Sequence, residues 1–335
     1  MAISGSGTQG DPYIFETAED FLQLIVIDSV YIEAKEDNME FDFNKVEYTL
    51  PLYFNFYSLN AKGLTILNLL SMNNNDPVIN ISNEQASYIN HDRFITGLNI
   101  YNLTIIKYDQ MLKFIGFPQG YYGKTMKFTN CNFAGLAMGY GSYGESWSNF
   151  GTFIGEYTNE SRATQLVFEN TTFNIHLKDH TNTSSTFLFT CNYGSSDGIC
   201  IFKNCSICIS GNVPYKLVSI NLPERNVGCF NCVTFTNNLS NPLVCQHFYT
   251  KAIQNPDYAG NNYYKMKVTT SGELSIDDTL GLIDEAKFTA GSTRTLTGIV
   301  LTSDQTHVGP SPQYDYIYND ANLQAHGFIV GQVII

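Results

Sequence analysis

Basic residues are scarce in this chain: its 335 residues include 18 Lys and Arg but 31 Asp and Glu. The formal charge of −13 argues against nucleic acid or an anionic membrane as the partner, because both are negatively charged. No uncharged apolar run approaches the length of about 18 residues that a membrane-spanning helix requires. We therefore expect neither nucleic-acid binding nor membrane insertion.

A secretory leader is also missing from the start of the sequence. Residues 1–10 contain neither a basic region nor the apolar region that follows it in signal peptides. The protein is expected either to be released without the general export route or to have lost a leader, and Met1 favours the first.

The sequence shows no long amphipathic helices, which argues against a parallel sheet with alternating helices. No nucleotide-binding loop and no serine-nucleophile motif occurs either. The chain is instead rich in Phe (23) and Tyr (22), with abundant Asn, Thr and Ile, a composition typical of strands and turns. Short strand-like runs divided by turn residues fill positions 25–264. These observations predict an all-β fold.

One hexapeptide recurs with apolar residues at its first and last positions and Asn at its third. The clear copies contain Asn102, Asn130, Asn170 and Asn204, and weaker copies surround Asn68, Asn83 and Asn231. Asn tolerates the left-handed conformation, so each copy predicts a bend after a strand. Such a strand buries its apolar side by stacking on further copies, which favours a parallel β-helix, with a β-sandwich as the alternative.

The two ends of the chain differ from this repeat. Thr17 precedes acidic residues and apolar positions at helical spacing, which predicts a short helix that covers the first strand layer. We expect an N-terminal cap at 1–27, a parallel β-helix at 28–262, and a small C-terminal β domain for oligomerisation or attachment at 263–335. The apolar run 327–335 would be an aggregation hazard unless another strand or subunit covers it.

The cysteines allow three interpretations. Cys205 and Cys208, together with Cys229 and Cys232, have the spacing of a four-thiolate zinc ribbon. Cys131, Cys205 and Cys232 each follow a repeat Asn, however, which favours small buried side chains stacked between strand layers. Disulfides are the third possibility. The buried-thiol interpretation predicts that no metal is bound.

With these parts assembled, the chain resembles right-handed parallel β-helix proteins of the pectin-lyase-like class. The run Gly-Ser-Gly-Thr-Gln-Gly-Asp-Pro-Tyr-Ile at 5–14 and Thr-Ala-Glu-Asp-Phe at 17–21 is similar to the N-terminal cap of such proteins from Gram-positive bacteria and their phages. Leu-Thr-Ile-Leu-Asn-Leu at 64–69 is similar to their first-rung phrase, although the usual Gly-Asn-Gly step is here Asn-Ala-Lys-Gly at 60–63. The resemblance covers about residues 5–240. It implies a phage tailspike or virion fibre, a homotrimer attached to other virion proteins.

A tailspike that cleaves polysaccharide would need two carboxylates about 5 to 5.5 Å or about 6.5 to 9.5 Å apart. The weak catalytic candidates lie in or beside the long insertions and are Glu145, Glu156, Asp179 and Asp197. No motif orders them into a pair, and solvated loop acids are the competing interpretation. His176 and His180 would lie about 13 Å apart on a strand, too far to share a metal ion. No cofactor is expected.

Two loops rich in Gly and aromatic residues are the stronger binding candidates. They contain Tyr121, Tyr122, Tyr140, Tyr143 and Trp147, the single Trp of the chain. Aromatic rings stack on sugar C–H groups and Tyr hydroxyls form hydrogen bonds, so these loops predict carbohydrate binding. Packing on the flank of the β-helix or on a neighbouring subunit is the alternative.

The function expected is therefore a structural appendage on the surface of a phage particle, which attaches to host cell-surface glycans, and the sequence leaves open whether it also has enzymatic activity. A polysaccharide-degrading tailspike, either hydrolase or lyase, is the first alternative. A bacterial cell-surface adhesin of the same fold is the second.

Overall fold

The computed structural model describes residues 3–49, 52–71, 79–80, 92–105, 113–117, 125–138, 152–156, 164–177, 186–187, 198–211, 218–221, 226–239, 243–246, 285–288, 291, 293–296 and 299–302. These residues are predominantly β, with one α-helix, α1 (Ala18–Leu24), and one short 3-10 turn, Phe43–Lys45. In this part of the chain, no helix is long and apolar enough to cross a membrane.

The strands form four sheets. Sheet 1 contains, in spatial order, β1 (Tyr13–Phe15), β2 (Tyr31–Ala34), β5 (Ser58–Asn60), β9 (Arg93–Thr96), β13 (Thr125–Thr129), β16 (Thr164–Glu169), β19 (Gly198–Lys203), β22 (Asn226–Asn231) and β27 (Ile299–Thr302). Sheet 2 contains β3 (Glu40–Asp42), β6 (Thr65–Leu67), β10 (Asn99–Tyr101), β14 (Asn132–Met138), β17 (Thr172–Leu177), β20 (Ser206–Gly211), β23 (Val233–Leu239) and β26 (Thr293–Leu296), with the short β7 (Leu70–Ser71) and β11 (Thr104–Ile105) alongside. Sheet 3 contains β4 (Leu52–Tyr53), β8 (Ile79–Asn80), β12 (Lys113–Phe117) and β15 (Thr152–Glu156). Sheet 4 contains β18 (Thr186–Phe187), β21 (Val218–Asn221), β24 (Leu243–Gln246) and β25 (Glu285–Phe288).

The chain visits these sheets in a repeating order. After each strand of sheet 1 from β2 to β19 it enters sheet 2, then sheet 3 or sheet 4, and returns to sheet 1 beside the strand it left. We call one such passage a winding. Strands of consecutive windings from β1 to β24 pair in parallel. This order is compatible with a β-helix-like fold and differs from the antiparallel layers of a β-sandwich.

The bend between sheets 1 and 2 is made by a column of residues with positive φ. Asn130, Asn170 and Asn204 have φ of 53°, 50° and 52°. The N–H of Asn130 donates to Glu169 O at 3.0 Å, and that of Asn170 donates to Lys203 O at 2.9 Å. The predicted Asn bends are therefore confirmed at these three positions, and they stack in register.

Asn102 lies at a different bend from the one that the hexapeptide alignment predicts. The preceding residue, Tyr101, is in register with Leu67, so Asn102 stacks on Asn68, with φ of 53° and 59°. Gly135, with φ of 79°, continues this second column. A Cβ atom on Gly135 would lie 2.6 Å from the Cα of Asn102, so the close stacking requires Gly. The hexapeptide alignment predicts one column of Asn residues, and this prediction is wrong. The residues with positive φ form two columns, one at each of two bends.

The last winding also departs from the predicted alignment. Asn231 is in register with Lys203 and ends β22, so the bend falls on Cys232, which has φ of 53° and is exposed. Burial of Cys232 is therefore a wrong prediction, because Val233 takes the interior position that follows the bend. Burial of Cys131 and Cys205 is confirmed, since these side chains are 0% and 3% exposed.

The core consists of apolar side chains that stack between windings. Phe168 lies between Phe128 and Phe202, with ring centroids 5.1 and 5.2 Å away and interplanar angles of 13° and 17°. Phe133 and Phe173 stack in the same way at 5.5 Å. Each ring covers the next, so the interior excludes water along the windings.

Helix α1 covers the first winding. Thr17 is its N-cap, as the sequence predicts, and it also forms a capping box with Asp20. Phe21 faces inward and contacts the rings of Phe15 and Phe54 at 5.3 and 6.4 Å. The helix therefore shields apolar side chains and a strand edge that would otherwise meet water.

The described residues of the C-terminal region pass back over the last winding. β25, β26 and β27 pair antiparallel with β24, β23 and β22, so the chain crosses sheets 4, 2 and 1 in reverse order. These strands cover the strand edges of the last winding. The predicted boundary at residue 263 stays a prediction.

Candidate functional site

The outward side of sheet 2 carries a compact array of polar residues. On β17, β20 and β23, residues alternate between the interior and the outside, as the two-residue period of a strand requires. The nine outward residues are Thr172, Asn174, His176, Ser206, Cys208, Ser210, Thr234, Thr236 and Asn238. We call these nine residues the polar face. It contains no carboxylate, lysine or arginine.

Strand register arranges the polar face in three columns. The columns are Thr172, Ser206 and Thr234, then Asn174, Cys208 and Thr236, and then His176, Ser210 and Asn238. Adjacent strands are about 4.8 Å apart, and neighbouring columns are about 6.6 Å apart because they are separated by two residues along each strand. The polar face is therefore a flat surface of about 10 Å by 13 Å.

Several side chains of the polar face bond to one another. His176 Nδ1 and Ser210 Oγ are 3.2 Å apart, and Ser210 Oγ donates to Ile175 O at 3.4 Å. Asn238 Nδ2 donates to Cys208 Sγ at 3.3 Å. These contacts fix the side-chain orientations, while Asn174, His176 and Asn238 stay exposed to a ligand.

Cys208 is the one thiol of the polar face. Partial burial raises its pKa, and the hydrogen bond from Asn238 opposes this rise only in part. The thiol is therefore protonated at neutral pH, and it acts as a weak hydrogen-bonding group and not as a nucleophile.

The two carboxylates with lowered pKa lie outside the polar face and are unsuited to acid catalysis. A hydrogen-bonded ion pair with Lys127 lowers the pKa of Glu169, and Lys203 adds to this effect, with N–O distances of 2.5 and 3.1 Å. Hydrogen bonds from Asn68 and the N–H of Asn44 lower the pKa of Asp42. A general acid requires a raised pKa, so both groups have structural roles.

One residue of the predicted catalytic set lies in a described strand. Glu156 ends β15, where its backbone is in register with Phe117 of β12. The other predicted catalytic residues, Glu145, Asp179 and Asp197, lie outside the described residues. A catalytic pair among these four residues therefore stays a prediction.

The predicted aromatic residues also lie outside the described part, namely Tyr121, Tyr122, Tyr140, Tyr143 and Trp147. Their flanking strands separate them into two groups. Tyr121 and Tyr122 belong to the segment between β12 of sheet 3 and β13 of sheet 1, whereas the other three belong to the segment between β14 of sheet 2 and β15 of sheet 3.

The sequence analysis did not identify the polar face. Its signal in the sequence is the alternation of polar residues on three strands that pair in register.

The zinc interpretation depends on cysteines that the fold places in different environments. Cys205 lies in the interior, where its Sγ donates to Phe168 O and to Lys203 O, both at 3.4 Å. Burial raises the pKa of Cys205 to about 11, whereas Cys232 lies at an exposed bend. Within the described ranges, no group of three or more His, Cys, Asp and Glu side chains is arranged to bind a metal ion.

Comparison with models of protein families, with curated proteins and with solved structures finds no match to this chain.

Proposed function

We propose that this chain is a right-handed parallel β-helix of the pectin-lyase-like class and serves as a structural appendage of a phage particle. Parallel strands joined by crossovers support the right hand, because such connections are right-handed in about 98% of cases. The sequence resemblance to tailspikes and virion fibres supports the setting. The proposed particle contains a homotrimer, which other virion proteins anchor.

The proposed activity is non-catalytic binding of a host cell-surface glycan, and the polar face is the observation that carries it. Its hydroxyl, amide and imidazole groups both donate and accept hydrogen bonds, as sugar hydroxyls do. The array has no fixed charge, which suits a neutral ligand better than an ionic one. Its open, flat shape suits an extended polymer better than a small molecule, for which enclosed pockets are usual.

Glycan binding can be tested with a triple variant of the exposed residues, Asn174→Ala, His176→Ala and Asn238→Ala. Each lost hydrogen bond costs about 0.5 to 1.5 kcal/mol, so binding to immobilised host polysaccharide should weaken by about tenfold or more. Thr129→Ala, on the outward side of sheet 1, is the matched control and should bind like the parent chain. Equal binding by the triple variant and the parent would reject the polar face as the site.

The same assay separates binding from cleavage. Incubation of the polysaccharide with the protein should release no new reducing ends and no unsaturated products. Release of either would reject a non-catalytic role and favour the degrading tailspike.

The setting needs a separate measurement. Antibodies raised against the chain should label purified phage particles, and the chain should have about three times its 37.5 kDa mass in solution. Labelling of the surface of uninfected bacteria would instead favour the adhesin.

A further inference from the structure

Two adjacent apolar side chains are exposed at the loop that follows helix α1. Val26 and Ile27 are 47% and 37% exposed, and among the described residues Phe94 of sheet 1 is the third large apolar residue of this kind. Val26 and Ile27 belong to the loop of residues 25–29, which joins α1 to β2. A single exposed apolar residue is ordinary, whereas an exposed apolar pair on one loop indicates a contact surface.

The loop 25–29 stacks on the corresponding corner of the next winding. The N–H of Asn55 donates to Ile25 O at 2.8 Å, and the N–H of Ser29 donates to Asn55 O at 3.3 Å. Asn55 belongs to the corner at 54–57, which precedes β5 as the loop precedes β2. The two Phe side chains of this corner are fully buried, whereas the apolar pair of the loop stays exposed to water.

Further hydrogen bonds hold the loop in this conformation. Nδ2 of Asn55 donates to Val26 O at 3.0 Å, and the N–H of Ile27 donates to Leu24 O at 3.1 Å. The side chain of Ile25 is buried in the core cluster, which anchors the start of the loop. A partner that binds the apolar pair therefore loses little free energy in ordering the loop.

The N-terminal end of the coil carries charge of one sign. Residues 1–34 contain no Lys, Arg or His, and their six acidic residues are Asp11, Glu16, Glu19, Asp20, Asp28 and Glu33. Lys35 and Lys62 pair with two of these carboxylates, so the net charge stays negative. Glu19 on α1 and Asp28 in the loop are both exposed. This charge favours a basic partner and opposes a second copy of the same surface, which is equally acidic.

We propose that Val26 and Ile27 are the centre of a docking site for a protein segment that presents apolar side chains flanked by Lys or Arg. Burial of the apolar pair supplies the affinity, because a few well-packed residues at the centre of an interface dominate its energy. The carboxylates around the pair select a basic partner and accelerate its association. The inference goes beyond the proposed glycan binding, which uses sheet 2, and does not depend on it.

A library of random short peptides displayed on yeast tests the proposal, with the full-length protein as the probe. Peptides that bind the parent chain are selected, and those that also bind the double variant Val26→Ser/Ile27→Ser are removed. The remaining peptides should be enriched in Leu, Ile or Phe next to Lys or Arg. Each should bind the double variant at least about tenfold more weakly than the parent chain. Both substituted side chains are exposed, so the variant should unfold in urea like the parent chain.

Two matched controls separate this site from the rest of the surface. Phe94→Ser removes a similarly exposed apolar side chain from sheet 1 and should bind the selected peptides like the parent chain. Glu19→Lys should weaken their binding by about two- to fivefold and reduce its dependence on salt. Glu40→Lys, which reverses an exposed charge on sheet 2, should do neither.

Three results would overturn the proposal. The first is a selection that enriches no peptide with a preference for the parent chain over the double variant. The second is a preference for neutral or acidic peptides, which would show that the carboxylates do not select the partner. The third is a lower mass in solution for the double variant than for the parent chain in analytical ultracentrifugation, which would identify a second copy as the occupant.

Discussion

The side-chain amide of Asn204 donates to Oδ1 of Asn170 at 3.3 Å, so the bends of two adjacent windings are joined outside the backbone ladder. Both residues are exposed and both have positive φ. In these two windings the bend residue therefore both adopts the left-handed conformation and bonds to its neighbour through a side-chain amide. Asn is suited to both, which explains its recurrence at this bend.

Replacement of Asn204 by Ala should lower the free energy of unfolding by about 1 to 2 kcal/mol, because Ala is strained at a φ of 52°. Asn204→Gly loses the same amide contact but relieves the strain, so it should cost less. Urea unfolding of both variants and the parent chain measures the difference. Equal costs for Ala and Gly would show that the backbone conformation is not the reason for Asn.

Gly135 and Gly291 separate steric contact from backbone strain. Both have positive φ, 79° and 71°, but only Gly135 has backbone atoms of Asn102 within 3 Å of an added Cβ, whereas Gly291 has nothing within 4 Å. Gly291→Ala should cost about 1 kcal/mol through strain alone. Gly135→Ala should cost more, since the two windings have to separate.

Thermal or urea unfolding of the two glycine variants tests this stacking of Gly135 on Asn102. If the two substitutions destabilise the protein equally, Gly135 does not pack closely against the backbone of Asn102 in solution.

The bends show how far the sequence predicts this fold. Asn130, Asn170 and Asn204 were identifiable because a rare conformation selects a distinctive residue. Gly97 and Cys232 occupy the same bend without Asn, and Asn102 occupies another bend with it, so residue identity alone cannot assign a bend to its column. Register resolves the assignment, and register depends on pairing between residues about 30 positions apart.

The polar face was hidden from the sequence for a related reason. Each of its strands alternates polar and apolar residues, as does the outside of any half-buried strand. Nothing in a single strand distinguishes Asn174 or His176 from ordinary surface residues. The array exists only after β17, β20 and β23 align, which brings Thr172, Ser206 and Thr234 into one column.

The buried thiols should be chemically inert in the folded protein. Burial raises the pKa of Cys131 to about 12, so almost no reactive thiolate forms at pH 8. Iodoacetamide treatment of the native protein at pH 8 should leave the peptides of Cys131 and Cys205 unmodified and should modify Cys232, which is exposed. Peptide mapping by mass spectrometry measures each site.

Treatment in urea serves as the control for this experiment, because unfolding should expose all three thiols equally. Modification of Cys131 in the native protein at the rate of Cys232 would contradict an interior position for the residue after the first bend.

Glu169 should make stability depend on pH under acidic conditions. Its pKa is lowered by Lys127 and Lys203, so the unfolded chain binds the proton more tightly than the folded chain does. The stabilisation is fully present above the ordinary carboxyl pKa of 4.5 and is lost as the pH falls through the lowered value. Glu169→Gln should therefore flatten the fall of unfolding free energy below about pH 4.5.

The matched control for Glu169 is Glu40→Gln, because Glu40 is an exposed carboxylate at the start of β3. Urea unfolding of the two variants and the parent chain is compared at several pH values between about 3 and 7, a range that includes the titration of carboxyl groups. Of these two carboxylates, Glu169 is the one that bridges two lysines on different windings, so its replacement should change the slope and that of Glu40 should not. An unchanged slope for Glu169→Gln would mean that the bridge between β13, β16 and β19 does not persist in solution.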